Sequence, residues 1–168
     1  MDVLTVAGGL ARIAVIDGLC AGADFERALE CDVRLAGVSA RLSADGARAP
    51  EACAARLACL LGEARAKDIV LTGRTFDGRE ALRLGVVTRV VEDGALAAEA
   101  RALADLIASR PPLAVRAVKS AVEQTRALTL AEALALEHDH FCRLIGSRDH
   151  KAAVEAFLER RTPAFTGQ

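Results

Sequence analysis

A chain of 168 residues that is 52% hydrophobic, with a net charge of −1 and a pI near 6.3, has enough apolar material for one domain with a core plus a terminal extension, and too little length for two comfortable domains. Its basic residues are scattered among acids rather than grouped on a stripe, which sets aside nucleic acid and anionic membrane as partners. Cys20, Cys31, Cys53, Cys59 and Cys142 match no zinc or redox spacing, no apolar run reaches membrane-spanning length, and Met1-Asp2-Val3 lacks a secretion-signal profile, so a cytoplasmic protein with reduced, buried thiols and no metal is expected.

In chain order, Val3–Val6 and Arg12–Ile16 flank Gly8-Gly9, a pair able to take positive φ, and predict a hairpin. Asp24–Glu30 reads as a short helix and Val33–Ala36 as a strand. Ser43–Pro50, with Asp45-Gly46 and Pro50, has the composition of a loop. Cys53–Val70 is rich in Ala and Leu and predicts one helix running to Leu71. Asp77 with Glu80 three residues on resembles a capping box, Gly85 supplies the stop, and Val86–Val91 reads as a buried strand. Alternating strands and helices predict an α/β core of helices packed on parallel or stacked sheets over residues 1–110. Past Pro111-Pro112 the segments 113–127, 130–145 and 149–161 carry helical spacing with no strand signal, and Thr129 with Glu132 opens the second as a capping box. Such an appendage over 111–168 buries little alone, so packing on the core or on another subunit is expected.

Asp17–Asp32 holds the densest chemistry. A Gly/Ala turn at Gly22-Ala23 follows an apolar strand and opens a helix that carries Glu26. Backbone N–H groups at a helix start can stabilise a developing enolate oxygen, and a nearby carboxylate can move protons. From the residues alone, Glu26 reads first as a solvated first-turn acid favoured by the helix dipole, and Gly22 simply as a turn. His138 and His140, two apart on a helix, face different sides and read as a solvated face rather than a metal site.

Asp17–Asp32, Leu71-Thr72-Gly73-Arg74, Glu80–Val87, Pro111–Val115 and Ala156–Gly167, in this order, resemble the enoyl-CoA hydratase/isomerase (crotonase) family. The resemblance implies a crotonase-like ββα superhelix, here partial, with a C-terminal helical oligomerisation region. It also implies a trimer or hexamer, an acyl-CoA thioester as substrate in fatty acid metabolism, and no cofactor beyond that coenzyme A. Reading Ala28–Asp32 as the family's ALACD places Glu26 at the first catalytic glutamate and the Ala23 N–H at the second oxyanion donor. Reading Leu19–Phe25 as the family's FCAGADL places Ala23 at the first donor; the former keeps the downstream match unbroken. Gly22 then belongs to the substrate-binding turn, and Asp24 stands where relatives carry a third glycine and would oppose enolate charge unless turned outward.

The departures are specific. The family's N-terminal turns, which supply the other oxyanion donor and much of the adenine pocket, are mostly absent. Gly46 stands at the second glutamate, leaving Asp45 as the nearest carboxylate, with Glu51 several residues late. Arg160 and Arg161 are expected to bind CoA phosphates, or to be an ordinary charged helix end. Phe157 is a substrate-side candidate, although it and Phe165 read first as packing residues. Two functions follow from the resemblance: hydration or double-bond isomerisation through an oxyanion-stabilised enolate, or a catalytically degenerate crotonase-fold partner that assembles with a full-length relative.

Overall fold

β-rich runs on either side of Gly8 and Gly9 pair as expected. β1 (Asp2–Thr5) and β2 (Arg12–Ile16) are antiparallel, with Val3 opposite Ala14 and Leu4 opposite Ile13, and the two glycines take φ of 67° and 69° in a 3-10 turn that few other residues would accept. These strands open the first of two compact units, Met1–Ala104 and Asp105–Gln168, in a computed structural model that describes residues 1–44 and 53–168.

After β2 the chain leaves its sheet at Gly18 and forms β3 (Leu19–Ala21), then α1 (Ala23–Leu29), β4 (Val33–Gly37) and β5 (Arg41–Ser43). β4 runs parallel to β2 and β5 parallel to β3, so one strand–strand–helix turn advances onto the next with its two strands divided between two sheets. The sheets have the orders β1-β2-β4-β7 and β3-β5-β6. β6 (Thr75–Asp77) closes the smaller sheet antiparallel to β5, and β7 (Arg89–Val91) extends the larger one parallel to β4. Hydrophobic side chains from both sheets, from α1 and from the helical segments that follow fill the core, among them Ile16, Cys20, Phe25, Leu42, Leu57, Ile69 and Phe76. Phe25 meets Phe76 edge-on at 6.1 Å, so a residue of α1 is pinned to the small sheet.

The helix expected from Cys53 to Leu71 is two helices. α2 (Cys53–Leu61) and α3 (Glu63–Thr72) are broken at Gly62, whose φ of 81° no helix tolerates; composition predicted continuity because Ala and Leu dominate on both sides. α3 ends at left-handed Gly73, and α4 (Gly78–Leu84) starts under the Asp77 cap, whose Oδ1 accepts the Glu80 N–H at 2.8 Å, and stops at left-handed Gly85. Glu80 does not complete a capping box. Its carboxylate binds Arg74, which also pairs with Asp68 and lies over the Phe76 ring. The strand expected over Val86–Val91 is confined to Arg89–Val91: Val86 and Val87 are buried, yet their N–H groups bond back to the Ala81 carbonyl. Buried Arg34 holds this turn, its Nε donating to the Val86 carbonyl and its Nη1 to the Cys31 carbonyl, both at 2.6 Å. The expected loop at Ser43–Pro50 lies mostly outside the described residues.

α5 (Leu96–Ala108), which no sequence signal singled out, follows a 3-10 turn at Asp93–Ala95. The second unit contains α6 (Pro112–Gln124), α7 (Leu130–Leu144) and α8 (Arg148–Leu158). Thr129 and Glu132 make the expected capping box at α7, with both reciprocal bonds present. α6 packs along α7, leaving a groove of about 400 Å³ lined by Val118, Val122, His140, Phe141 and Leu144 among others. No described helix is long and apolar enough to cross a membrane.

Candidate active site

Gly22 sets the geometry at Asp17–Asp32. Its φ of 56° and ψ of −126° fall in a region that side chains disfavour, and this conformation turns the end of β3 directly into α1. The first helical hydrogen bond runs from the Glu26 N–H to the Gly22 carbonyl at 3.1 Å. The N–H groups of Ala23, Asp24 and Phe25 therefore precede the helix's own bonding pattern, and Ala23 is exposed at the turn. Glu26 lies one turn into the same helix and is half-buried.

The surroundings explain how an acid is tolerated beside that turn. The Asp24 carboxylate engages Arg27 at 3.4 Å on the exposed side of α1, which offsets part of the charge. Cys20, one strand residue from the turn, is fully buried, and burial pushes its thiol up to about 12, so no thiolate forms beneath the turn near neutrality. Cys53, at the start of α2, is likewise raised, first by burial and then by the Glu26 carboxylate, which places Glu26 within electrostatic reach of that thiol. Neither neighbour was identifiable from sequence, because both cysteines read as filler until the fold brings them to α1. Glu30 and Asp32, four and six residues on, are structural. Glu30 pairs with Arg12 and Arg56, and the Asp32 carboxylate accepts the Arg12 N–H at 2.7 Å.

Asp45, together with Gly46 and Glu51, lies outside the described residues. Gly22, Ala23 and Glu26 belong to the first compact unit, whereas Phe157, Arg160 and Arg161 belong to the second. Phe157 is 82% exposed within this chain, against the expectation that it packs, while Phe165 is half-buried. Arg160 is the one described non-glycine residue with positive φ, 54°, and it ends α8 where glycine is the usual choice. The Arg161 N–H donates to the Ala156 carbonyl at 3.0 Å, and its guanidinium pairs with Glu159. The cysteines are not uniformly buried either. Cys59 and Cys142 are exposed, and the Cys142 sulfur stands 3.4 Å from His138 Nε2, one turn apart on α7. His140 faces the groove instead, as expected from its two-residue offset.

Comparison with known proteins adds the identity of the fold. The sequence pattern of the enoyl-CoA hydratase/isomerase family matches residues 6–168. The chain is 38% identical to the (E)-benzylidenesuccinyl-CoA hydratase of Thauera aromatica, covering 92% of this chain and 62% of that protein. It is 37% identical to the human mitochondrial enoyl-CoA hydratase domain-containing protein 2, covering 93% of this chain and 56% of that protein. The crystal structure of enoyl-CoA hydratase from Bacillus anthracis superposes with a TM-score of 0.87 at 34% identity, over 93% of this chain and 62% of that one. The chain thus has the crotonase fold, and it spans about three-fifths of the length of these relatives. It belongs to the enoyl-CoA hydratase/isomerase family.

Proposed function

We propose that this chain binds an acyl-CoA thioester and transfers a proton on it through an enolate, in a hydration or double-bond isomerisation. The observation that carries this reading is the Gly22 turn, which sets the Ala23 N–H and the Glu26 carboxylate on the first turn of one short helix. The thioester oxygen accepts from the Ala23 N–H, so the charge that develops on it in the enolate meets a fixed dipole. Glu26 then exchanges a proton at the α or β carbon. Its half-buried position within electrostatic reach of the neutral Cys53 thiol suits a carboxylate that must lie close to a thioester. Asp45 is the second carboxylate of the proposal. Phe157, Arg160 and Arg161 are assigned to the CoA side, the two guanidiniums to its phosphates. Assembly as a trimer or hexamer in the cytoplasm belongs to the same proposal.

Gly46, standing where the family carries its second glutamate, favours a second reading: a crotonase-fold partner without turnover of its own, assembled with a full-length relative. One experiment separates the two. With crotonyl-CoA, loss of the conjugated enoyl absorbance is expected for the parent chain, and a drop of about 100-fold or more for Glu26→Gln, the usual scale for removing a general acid–base group. Turnover unchanged by the substitution removes Glu26 from the mechanism. Absence of both turnover and CoA binding leaves the assembly reading.

A further inference from the structure

Asp149, the second residue of α8, is 2% exposed although it is an aspartate, and its carboxylate is bonded to the C-terminal tail. Its Oδ1 accepts the Thr166 N–H at 2.7 Å and the Thr166 hydroxyl at 3.3 Å, its Oδ2 accepts the Gly167 N–H at 2.9 Å, and its own N–H donates to the Gln168 carbonyl at 3.3 Å. Arg148, its neighbour, donates to the Gln168 side chain at 2.6 Å. Gly167 takes a φ of 75° and lies against Pro112, where an added Cβ would stand 3.4 Å from the proline Cβ. The tail is thus tied at its far end to the starts of both α8 and α6.

From Asp149 to Leu158 the helix rises about 13–14 Å at 1.5 Å per residue. The return from Arg161 to Thr166 has five peptide steps, which span at most about 17–18 Å fully extended. The strap is thus a short link between two tied ends, and it leaves α8 through Arg160 in a left-handed conformation uncommon for an arginine. Arg161 is held at the same end through the Ala156 carbonyl.

We propose that Asp149 is a positioning residue: by anchoring the strap at Thr166 and Gly167 it fixes the direction of Arg160 and Arg161, which rests on the assignment of that basic pair to the CoA phosphates. Both carboxylate oxygens are needed as acceptors. An asparagine offers one acceptor and opposes a backbone N–H with its own amide hydrogens. Two perturbations reach the strap from different sides, Asp149→Asn at the anchor and Gly167→Ala at the glycine against Pro112.

Two measurements on the full chain test this. In limited trypsin digestion, both variants are expected to be cut after Arg160 or Arg161 at least tenfold faster than the parent, with cutting after Arg126 unchanged. Equal rates at all three sites overturn the positioning role, as does acceleration at Arg126 to the same extent, which signals general unfolding. In CoA binding, both variants are expected to weaken affinity about tenfold and to flatten its salt dependence to that of an Arg160→Ala/Arg161→Ala double variant, because phosphate–guanidinium pairs are the screened contacts. A double variant that binds CoA like the parent refutes the CoA assignment and leaves the strap to the digestion result. A weakened double variant beside an unaffected Asp149→Asn refutes Asp149 alone.

Discussion

Replacing Gly78 by alanine tests whether the start of α4 is seated as closely on β4 as the structure has it. An alanine Cβ at this position would stand 2.6 Å from the Gly37 carbonyl oxygen and 3.6 Å from the Ala36 Cβ. An ordinary carbon–oxygen contact is about 3.3 Å, so α4 or the strand must shift by roughly 0.7 Å, and overpacking of this kind costs about 1–3 kcal/mol. Relief by simple withdrawal is constrained, because Gly78 follows the Asp77 cap and the Gly37 end of β4 is tied to β7 at Val91. Alanine returns about 0.4–1 kcal/mol through the unfolded chain, leaving a net loss of about 1–2 kcal/mol. For a chain of 168 residues this corresponds to a melting temperature lower by about 2–8 °C. Gly94→Ala is the matched control, since nothing lies within 4 Å of its Cβ position, and it is expected to stabilise by up to about 1 kcal/mol. Urea unfolding followed by circular dichroism measures both. A Gly78→Ala protein as stable as the parent, with Gly94→Ala behaving as stated, would refute the close approach of α4 to Gly37.

Cys20 makes stability fall at alkaline pH. Its thiol titrates near 12 in the fold against an ordinary 9.0, so above pH 9 the unfolded chain loses a proton that the native chain keeps, and unfolding becomes easier by up to about 1.4 kcal/mol per pH unit. The contribution is complete below pH 9, and a Cys20→Ala protein should show a shallower decline between pH 9 and 11; equal slopes would contradict the burial assigned to this thiol. Native alkylation with iodoacetamide at about pH 8, read by intact mass, is expected to label Cys59 and Cys142, while buried Cys20, Cys31 and Cys53 react only after denaturation. Prompt labelling of a third cysteine would overturn the burial pattern.

Much of the candidate site is legible in the chain itself, because its parts are local. A glycine forced into a conformation that side chains disfavour, an acid one turn into the following helix, and family strings in register need no long-range information. The same holds for the Asp77 and Thr129 caps and for the stop at Gly85, each set by a residue acting on backbone groups within a few positions. The three-stranded sheet was not legible. β3, β5 and β6 are three residues each, too short for a two-residue period to register, and they become strands only because they meet. Gly62 was passed over because a single glycine in an apolar run does not announce its φ.

What the sequence determined by itself is therefore the family, the opening hairpin, the helical C-terminal segments and the placement of Gly22, Ala23 and Glu26 on one turn, since these depend on neighbours along the chain. Tertiary structure alone decided the environment of those groups. It put Cys20 and Cys53 around α1, left Cys59 and Cys142 in solvent, and buried Asp149 against a tail seventeen residues downstream. Burial and charge pairing are properties of positions in space, and residues far apart in the chain acquire them only when the fold closes.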